Sequence, residues 1–231
     1  MEAIILAGGF GTRLKDVVSN VPKPMAPINN IPFLKYILDY VYKNGVNRVI
    51  LAVGYKHDII TNYFGNKYKG MDLIYSIEDK PLFTGGAIKK ALNVCKNKNV
   101  LVVNGDTYLD VRLEDMMKFH DINNGDITVA IKHMENFNRY GTVELSNIKI
   151  IQFNEKQQRE SGFINGGIYI LNKSLFNNIR ENKFSFEKDI MEKLILDLNI
   201  LGFITKGYFI DIGIPSDYYK AQNDFKYYTE K

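Results

Sequence analysis

Along the first half of the chain, short apolar runs alternate with stretches whose apolar residues recur every three or four positions. Residues 3–6 form a compact apolar run that predicts a buried strand ending in Ala7-Gly8-Gly9. Phe33, Tyr36, Ile37, Tyr40 and Val41 then fall on one helical face, and Asn44-Gly45 supplies a stop. Residues 48–53 read as the next buried strand, 57–64 as a short helix and 72–77 as a further strand. A loop over residues 78–86 delivers the chain into a helix carrying Ala87, Ile88, Ala91, Leu92 and Cys95 on one side. Residues 100–103 lead as a strand into Asn104-Gly105-Asp106. Three such units predict a parallel sheet with helices on its faces, whose ligands collect at the carboxyl ends of the strands. The opening loop and Asp106 share that edge.

The second half is richer in strands. Residues 127–133 read as a strand, and 142–145 with 148–153 as a hairpin around Ser146-Asn147. Residues 163–171 form another β-rich run, interrupted at Asn165-Gly166-Gly167. Helices are expected around 174–179 and 187–196, then a strand over 208–212 and an amphipathic helix from Ser216. No repeat, linker or low-complexity tract divides the chain. The expectation is one domain, 1–231, with a nucleotide-binding half over about 1–110 and a sugar-binding, closing half over about 111–231.

The glycines after the first strand change this picture from a fold to a candidate site. Residues without a Cβ let an anion approach backbone N–H groups, and Arg13 and Lys23 add positive charge to the same stretch. A plain turn would explain the glycines by themselves; the added cations favour a nucleoside triphosphate. Gly9-Phe10-Gly11-Thr12-Arg13-Leu14 lacks the third glycine of a dinucleotide fingerprint, and no G-K-[ST] follows to make a Walker A loop. Asp106 and Asp211 both end predicted strands, and Mg²⁺ usually takes one or two carboxylates plus substrate phosphates. Thr84-Gly85-Gly86 opens a helix, where free N–H groups favour polar ligands or simply cap the helix. Glu155-Lys156 follows the hairpin and offers a cation for a second anion and an acceptor for sugar hydroxyls.

Composition removes several alternatives. The 231 residues are 45% hydrophobic and 24% charged, ordinary for a folded domain of this length. The net charge of +4 is spread without a basic block, so nucleic-acid binding is not expected. Cys95 is the one cysteine, which excludes an intrachain disulfide and a cysteine metal site; it is expected in the core. His57, His120 and His133 show no metal spacing, and no nucleophile elbow or H-E-x-x-H is present. With no long apolar stretch and no basic leader, the expectation is a cytoplasmic protein that does not engage a membrane.

Several stretches together resemble the sugar-1-phosphate nucleotidyltransferases. The pattern G-G-x-G-T-R-L followed by P-K-P is present as Gly8-Gly9-Phe10-Gly11-Thr12-Arg13-Leu14 and Pro22-Lys23-Pro24. The base loop P-L-G-T-G-G-A matches Pro81-Leu82-Phe83-Thr84-Gly85-Gly86-Ala87, and the metal aspartates match Asp106 and Asp211. Pro22 to Pro27, Arg139-Tyr140-Gly141-Thr142-Val143, Ile164-Asn165-Gly166-Gly167, Phe184 to Asp189 and Gly207 to Pro215 resemble more narrowly the D-glycero-D-manno-heptose 1-phosphate guanylyltransferases. The resemblance implies an α/β, Rossmann-like three-layer sandwich with a mostly parallel central sheet and a smaller β-rich sugar-binding lobe. It also implies an attack by a sugar-1-phosphate on an NTP, with pyrophosphate expelled. Arg13, Lys23, Asp106 and Asp211 would be catalytic, with Mg²⁺ on the two aspartates. Leu6, Ala7, Gly8, Gly9, Gly11, Thr12, Arg13, Lys23, Thr84, Gly85 and Asp106 would contact the nucleotide. Gly141, Glu155, Lys156, Asn165 and Gly167 would contact the sugar phosphate.

GTP with a heptose 1-phosphate is the expected pair. UTP, dTTP or CTP with mannose- or glucose-1-phosphate, and a non-catalytic sugar-nucleotide binder, are the alternatives. The oligomeric state is open, a homodimer among the options. Two departures stand out: Phe83 occupies the usual glycine of the base loop, and Glu155-Lys156-Gln157 replaces the usual Glu-Lys-Pro. The C-terminal β-helix of larger relatives has no counterpart after the helix from Ser216, so regulation through such a domain is not expected.

Overall fold

The fold described is that of residues 1–9, 14, 17, 18, 20–154 and 158–226 in a computed structural model of the chain. At its centre β1 (Glu2–Leu6) pairs in parallel with β4 (Arg48–Val53), which pairs in parallel with β6 (Met71–Ile77). On the other side of β1 lies β7 (Asn99–Asn104), also parallel. Successive side chains of a strand point to opposite faces, and these strands are apolar on both. Ala3 and Ile5, Val49 and Leu51, and Leu101 and Val103 enter one core. Ile4, Ile50, Val100 and Val102 enter the other.

Helices cover both cores. Phe33, Tyr36, Ile37 and Val41 of α1 (Phe33–Lys43) pack on the first, together with α5 (Pro215–Asp224). The first core also receives α2 (His57–Phe64) and α4 (Leu113–Ile122). Ala87, Ile88, Ala91 and Leu92 of α3 (Phe83–Leu92) cover the second core with Phe186, Ile190 and Met191 of a π-helical turn, Phe186–Glu192. The three layers expected from the alternating pattern are therefore present.

The sheet itself is mixed. β12 (Arg159–Asn172) pairs antiparallel with β7 and carries the sheet onward to β9 (Ile127–Phe137), also antiparallel. β13 (Ile200–Thr205), parallel to β9, and the hairpin of β10 (Thr142–Ser146) with β11 (Lys149–Asn154) follow. The short β5 (Lys67–Tyr68) lies at the other edge, so ten strands form one sheet. The β-rich second half is thus a continuation of the first sheet. β12 runs unbroken through Asn165-Gly166-Gly167, but its pairing with β9 shifts register between Asn165 and Tyr169. Four short strands stand apart: β2 (Pro27–Ile28) with β3 (Ile31–Pro32), and β8 (Thr107–Leu109) with β14 (Phe209–Asp211).

Two expectations are corrected. The helix expected to begin after residue 86 begins at Phe83, because the glycines sit in its first turn and lie against residues 182–184. It ends at Leu92, so Cys95 is buried beyond the helix, its thiol pushed up to about 12 by burial. The segments expected as helices around 174–179 and 187–196 contain a 3-10 turn, Lys173–Phe176, and the π-helical turn. No helix among the described residues is long and apolar enough to cross a membrane.

Candidate active site

Two cavities open beside the carboxyl ends of the parallel strands, and Asn104 lines both. The first, about 330 Å³, takes Leu6, Gly8 and Gly9 from the end of β1, Lys23, Thr84 and Asp106. The second, about 390 Å³, takes Gly141, Asn165, Gly167 and Asp211. The sequence-derived nucleotide and sugar residues thus separate into two neighbouring chambers, with one aspartate in each. Gly11, Thr12, Arg13, Glu155 and Lys156 lie outside the described residues.

Two expected nucleotide contacts are absent from the first cavity's walls. Ala7 is fully buried and its amide donates to Ala52 O at 2.8 Å. Gly85 donates its amide to Phe184 O at 3.0 Å, and a Cβ there would stand 2.3 Å from the Phe184 ring. Neither is available to a ligand; Gly85 is needed for the close approach of the two chain segments. Thr84 lines the cavity, yet its hydroxyl is engaged elsewhere. It donates to Glu187 Oε2 at 2.5 Å and accepts from the Phe186 amide at 2.9 Å. That pair ties the helix opening of the first cavity to the π-helical turn, whose Glu187 lines the second.

The two aspartates meet through the small β8–β14 ladder. Asp211 pairs with Thr107, the neighbour of Asp106, and the Ile212 amide donates to Asp106 O at 3.1 Å. Lys23 is delivered from the 3-10 turn Lys23–Met25, which follows the extended Pro22. Its ammonium donates to Asp106 Oδ2 at 2.6 Å and lies 3.5 Å from Asp211 Oδ1. Burial, and then the charge of Asp106, hold the Asp211 carboxyl above its ordinary value; Lys23 and the Gly213 amide, 2.7 Å from Oδ1, pull the other way. Asp211 is therefore a carboxylate whose ionised form calls for a cation. This donor set suits Mg²⁺, which needs few protein carboxylates when phosphates supply further oxygens. Among the described residues no cluster of three His, Cys, Asp or Glu offers a fuller cage.

Sequence reasoning missed Glu78, which follows the last residue of β6 and lines the first cavity. Leu82 donates its amide to Glu78 Oε2 at 3.0 Å, and Oε1 fills the space beside Gly8, where a Cβ would come within 2.7 Å. Burial pushes this carboxyl up, against the Leu82 amide and Lys90. The available signal was an acid at the carboxyl end of a parallel strand. In the second cavity, Asn165 donates to the Tyr169 hydroxyl at 2.9 Å and accepts from the Gly167 amide at 2.9 Å, which fixes its side chain at the register shift. Tyr140, also in that wall, packs edge-on against Phe209, and its hydroxyl accepts from Arg139, which also pairs with Asp217.

The pattern of the family described as Nucleotidyl transferase matches residues 2–227. The chain is 52% identical over 229 residues to a D-glycero-alpha-D-manno-heptose 1-phosphate guanylyltransferase of Aneurinibacillus thermoaerophilus, covering 99% of this chain and 100% of the relative. It is 47% identical to the protein of the same name from Campylobacter jejuni subsp. jejuni serotype O:2, covering 95% and 97% of the two chains. Among solved structures, HddC from Yersinia pseudotuberculosis complexed with GMP-PN superposes with a TM-score of 0.87 at 37% identity, covering 97% of this chain and 99% of that one.

Proposed function

The chain belongs to the nucleotidyl transferase family, and we propose that it joins GTP to D-glycero-D-manno-heptose 1-phosphate, giving GDP-heptose and pyrophosphate. The observation that carries this reading is the meeting of Asp106, Asp211 and Lys23 beside two adjoining cavities. A triphosphate in the first cavity and a sugar phosphate in the second would present their reacting groups at that meeting point. Two anions must come together, so neutralisation and alignment are the main tasks. The attacking phosphate oxygen is already ionised, and no protein nucleophile or base is required.

Asp106 and Asp211 would hold Mg²⁺, which when bound neutralises phosphate charge. Lys23 would then share its ammonium between the carboxylates and the reacting phosphate, and Arg13 would steady the triphosphate. Glu78 supports guanine as the base: an ionised carboxylate accepts from the N1–H and exocyclic amine of guanine, a donor pair that uracil and cytosine do not present. Asn165, with the backbone at Gly141 and Gly167, would line the sugar, and Lys156 would hold its phosphate.

The test is pyrophosphate release from an array of GTP, UTP, dTTP and CTP against heptose-, mannose- and glucose-1-phosphates. The largest kcat/KM is expected for GTP with the heptose, and Asp106→Asn should lower kcat by orders of magnitude while remaining folded. Equal rates across bases would remove the guanine assignment. No release with any pair would leave a sugar-nucleotide binder.

A further inference from the structure

The departure at Phe83 has a defined geometry. Phe83 adopts φ +59°, in the left-handed region that glycine occupies without strain and a bulky side chain rarely enters. The other non-glycine residues with positive φ among those described are asparagines and lysines, at turns or caps except for Asn136 near the end of β9; Phe83 is the one aromatic among them. The backbone of the base loop thus follows a path that a glycine would follow, and the phenyl group is an addition to it. That addition gains little from burial, because Phe83 is 59% exposed. It lines the first cavity, beside Pro81, Thr84 and Ala87. The Lys183 ammonium stands 4.8 Å from the ring centroid, a cation–π contact that steadies the ring from outside the cavity wall.

We infer that Phe83 is a stacking platform for the nucleobase and sets a preference for purines in this cavity. The inference rests on reading the first cavity as the nucleotide site and deepens it. Glu78 would read the edge of the base, and Phe83 its face. A phenyl group held on a strained backbone, exposed at a cavity lip, has no packing role that offsets its strain; a base laid against it supplies one. Stacking favours the larger π-surface of a purine over that of a pyrimidine. The chemical class of ligand is a purine nucleoside phosphate, with guanine selected by Glu78.

The chain contains no tryptophan, so Phe83→Trp introduces a single indole at the platform. The experiment is equilibrium titration of the wild type and of Phe83→Gly, Phe83→Leu and Phe83→Trp with GDP, UDP and inorganic tripolyphosphate, without turnover. Phe83→Gly is expected to weaken GDP binding about 5- to 150-fold, the range of a lost base–aromatic stack, with tripolyphosphate affinity unchanged. Phe83→Leu should fall between, and Phe83→Trp should keep GDP affinity with its emission quenched on binding. Wild-type GDP affinity in Phe83→Gly, or equal losses for GDP and tripolyphosphate, would overturn the inference. An unquenched indole in a GDP-binding Phe83→Trp would do the same even if the glycine variant failed to fold. If the wild type prefers UDP, the guanine reading and the purine preference assigned to Phe83 both fall; a loss in Phe83→Gly confined to base-bearing ligands would then uphold only a stacking contact without that preference.

Discussion

Replacing Lys23 by methionine keeps most of the side-chain stem and removes the ammonium between Asp106 and Asp211. Removing one partner of a fully buried ion pair costs roughly 3–5 kcal/mol, and an exposed pair contributes about 0–1 kcal/mol. Here the side chains of Lys23, Asp106 and Asp211 are 13%, 35% and 28% exposed, between those limits. A loss of about 1–3 kcal/mol follows, which for a chain of 231 residues lowers Tm by about 2–6 °C. The sign of its pH dependence comes from Asp211, whose carboxyl is raised by burial and by Asp106. The folded state then binds more protons than the unfolded state, so this site's contribution to stability falls as pH climbs from the unfolded carboxylate value through the folded one. Deleting Lys23 removes a group that lowers the Asp211 value, so the deficit should be small near pH 4 and grow towards neutrality. Thermal unfolding followed by circular dichroism in EDTA, at about pH 4, 5 and 8, measures this directly. Added Mg²⁺ should stabilise Lys23→Met more than the wild type, in which the cation competes with the protein's own ammonium. A deficit independent of pH, or one that shrinks as pH rises, would refute the electrostatic account.

Three further outcomes are expected. Glu78→Gln should weaken GDP binding by roughly tenfold or more by calorimetry, since hydrogen bonds to a charged acceptor contribute about 1.5–3 kcal/mol; inorganic tripolyphosphate should bind as before. Gly85→Ala should lower Tm, because its Cβ would stand 2.3 Å from the Phe184 ring and 2.9 Å from its carbonyl. Overpacking of that kind costs about 1–3 kcal/mol, and an unchanged Tm would mean residues 182–184 yield freely. His120 is held below the ordinary imidazole value by burial, with Nδ1 2.9 Å from Thr128 Oγ1, while Asp121 and Asp126 pull upward. Its contribution to stability is therefore present above about pH 6.5 and lost as pH falls below it; urea titrations should show a smaller acid-side decline in His120→Gln.

The elements that could be read from the chain are those whose signal is local. β4 and α2 match the sequence-derived bounds residue for residue, and α1 stops at Asn44-Gly45 as expected. A buried strand needs only its own apolar run, and an amphipathic helix only its own period. α3 opens at Thr84-Gly85-Gly86 as expected to within one residue, but inside the expected loop over 78–86, because glycines that normally mark a loop here serve a close contact with residues 182–184. β14 falls within the strand expected over 208–212, and the π-helical turn largely within the region expected as a helix, while β8, three residues long, is too short to announce itself by period. Glu78 carried no motif, and its place in the first cavity follows from the end of β6 lying next to the opening loop.

The sequence by itself determined the alternation of strands and helices, the burial of the central strands, and the identity of the cations and carboxylates available to phosphate chemistry. Each follows from a residue and its near neighbours along the chain. Only the tertiary structure decided that Asp211 lies beside Asp106 with Lys23 between them, that Thr84 reaches Glu187, and that Phe83 faces a cavity. Those relations depend on the β8–β14 pairing and on the packing of α3 against a distant turn. Distance in space between charged groups is fixed by how strands far apart in sequence align, and that alignment is settled by the whole core.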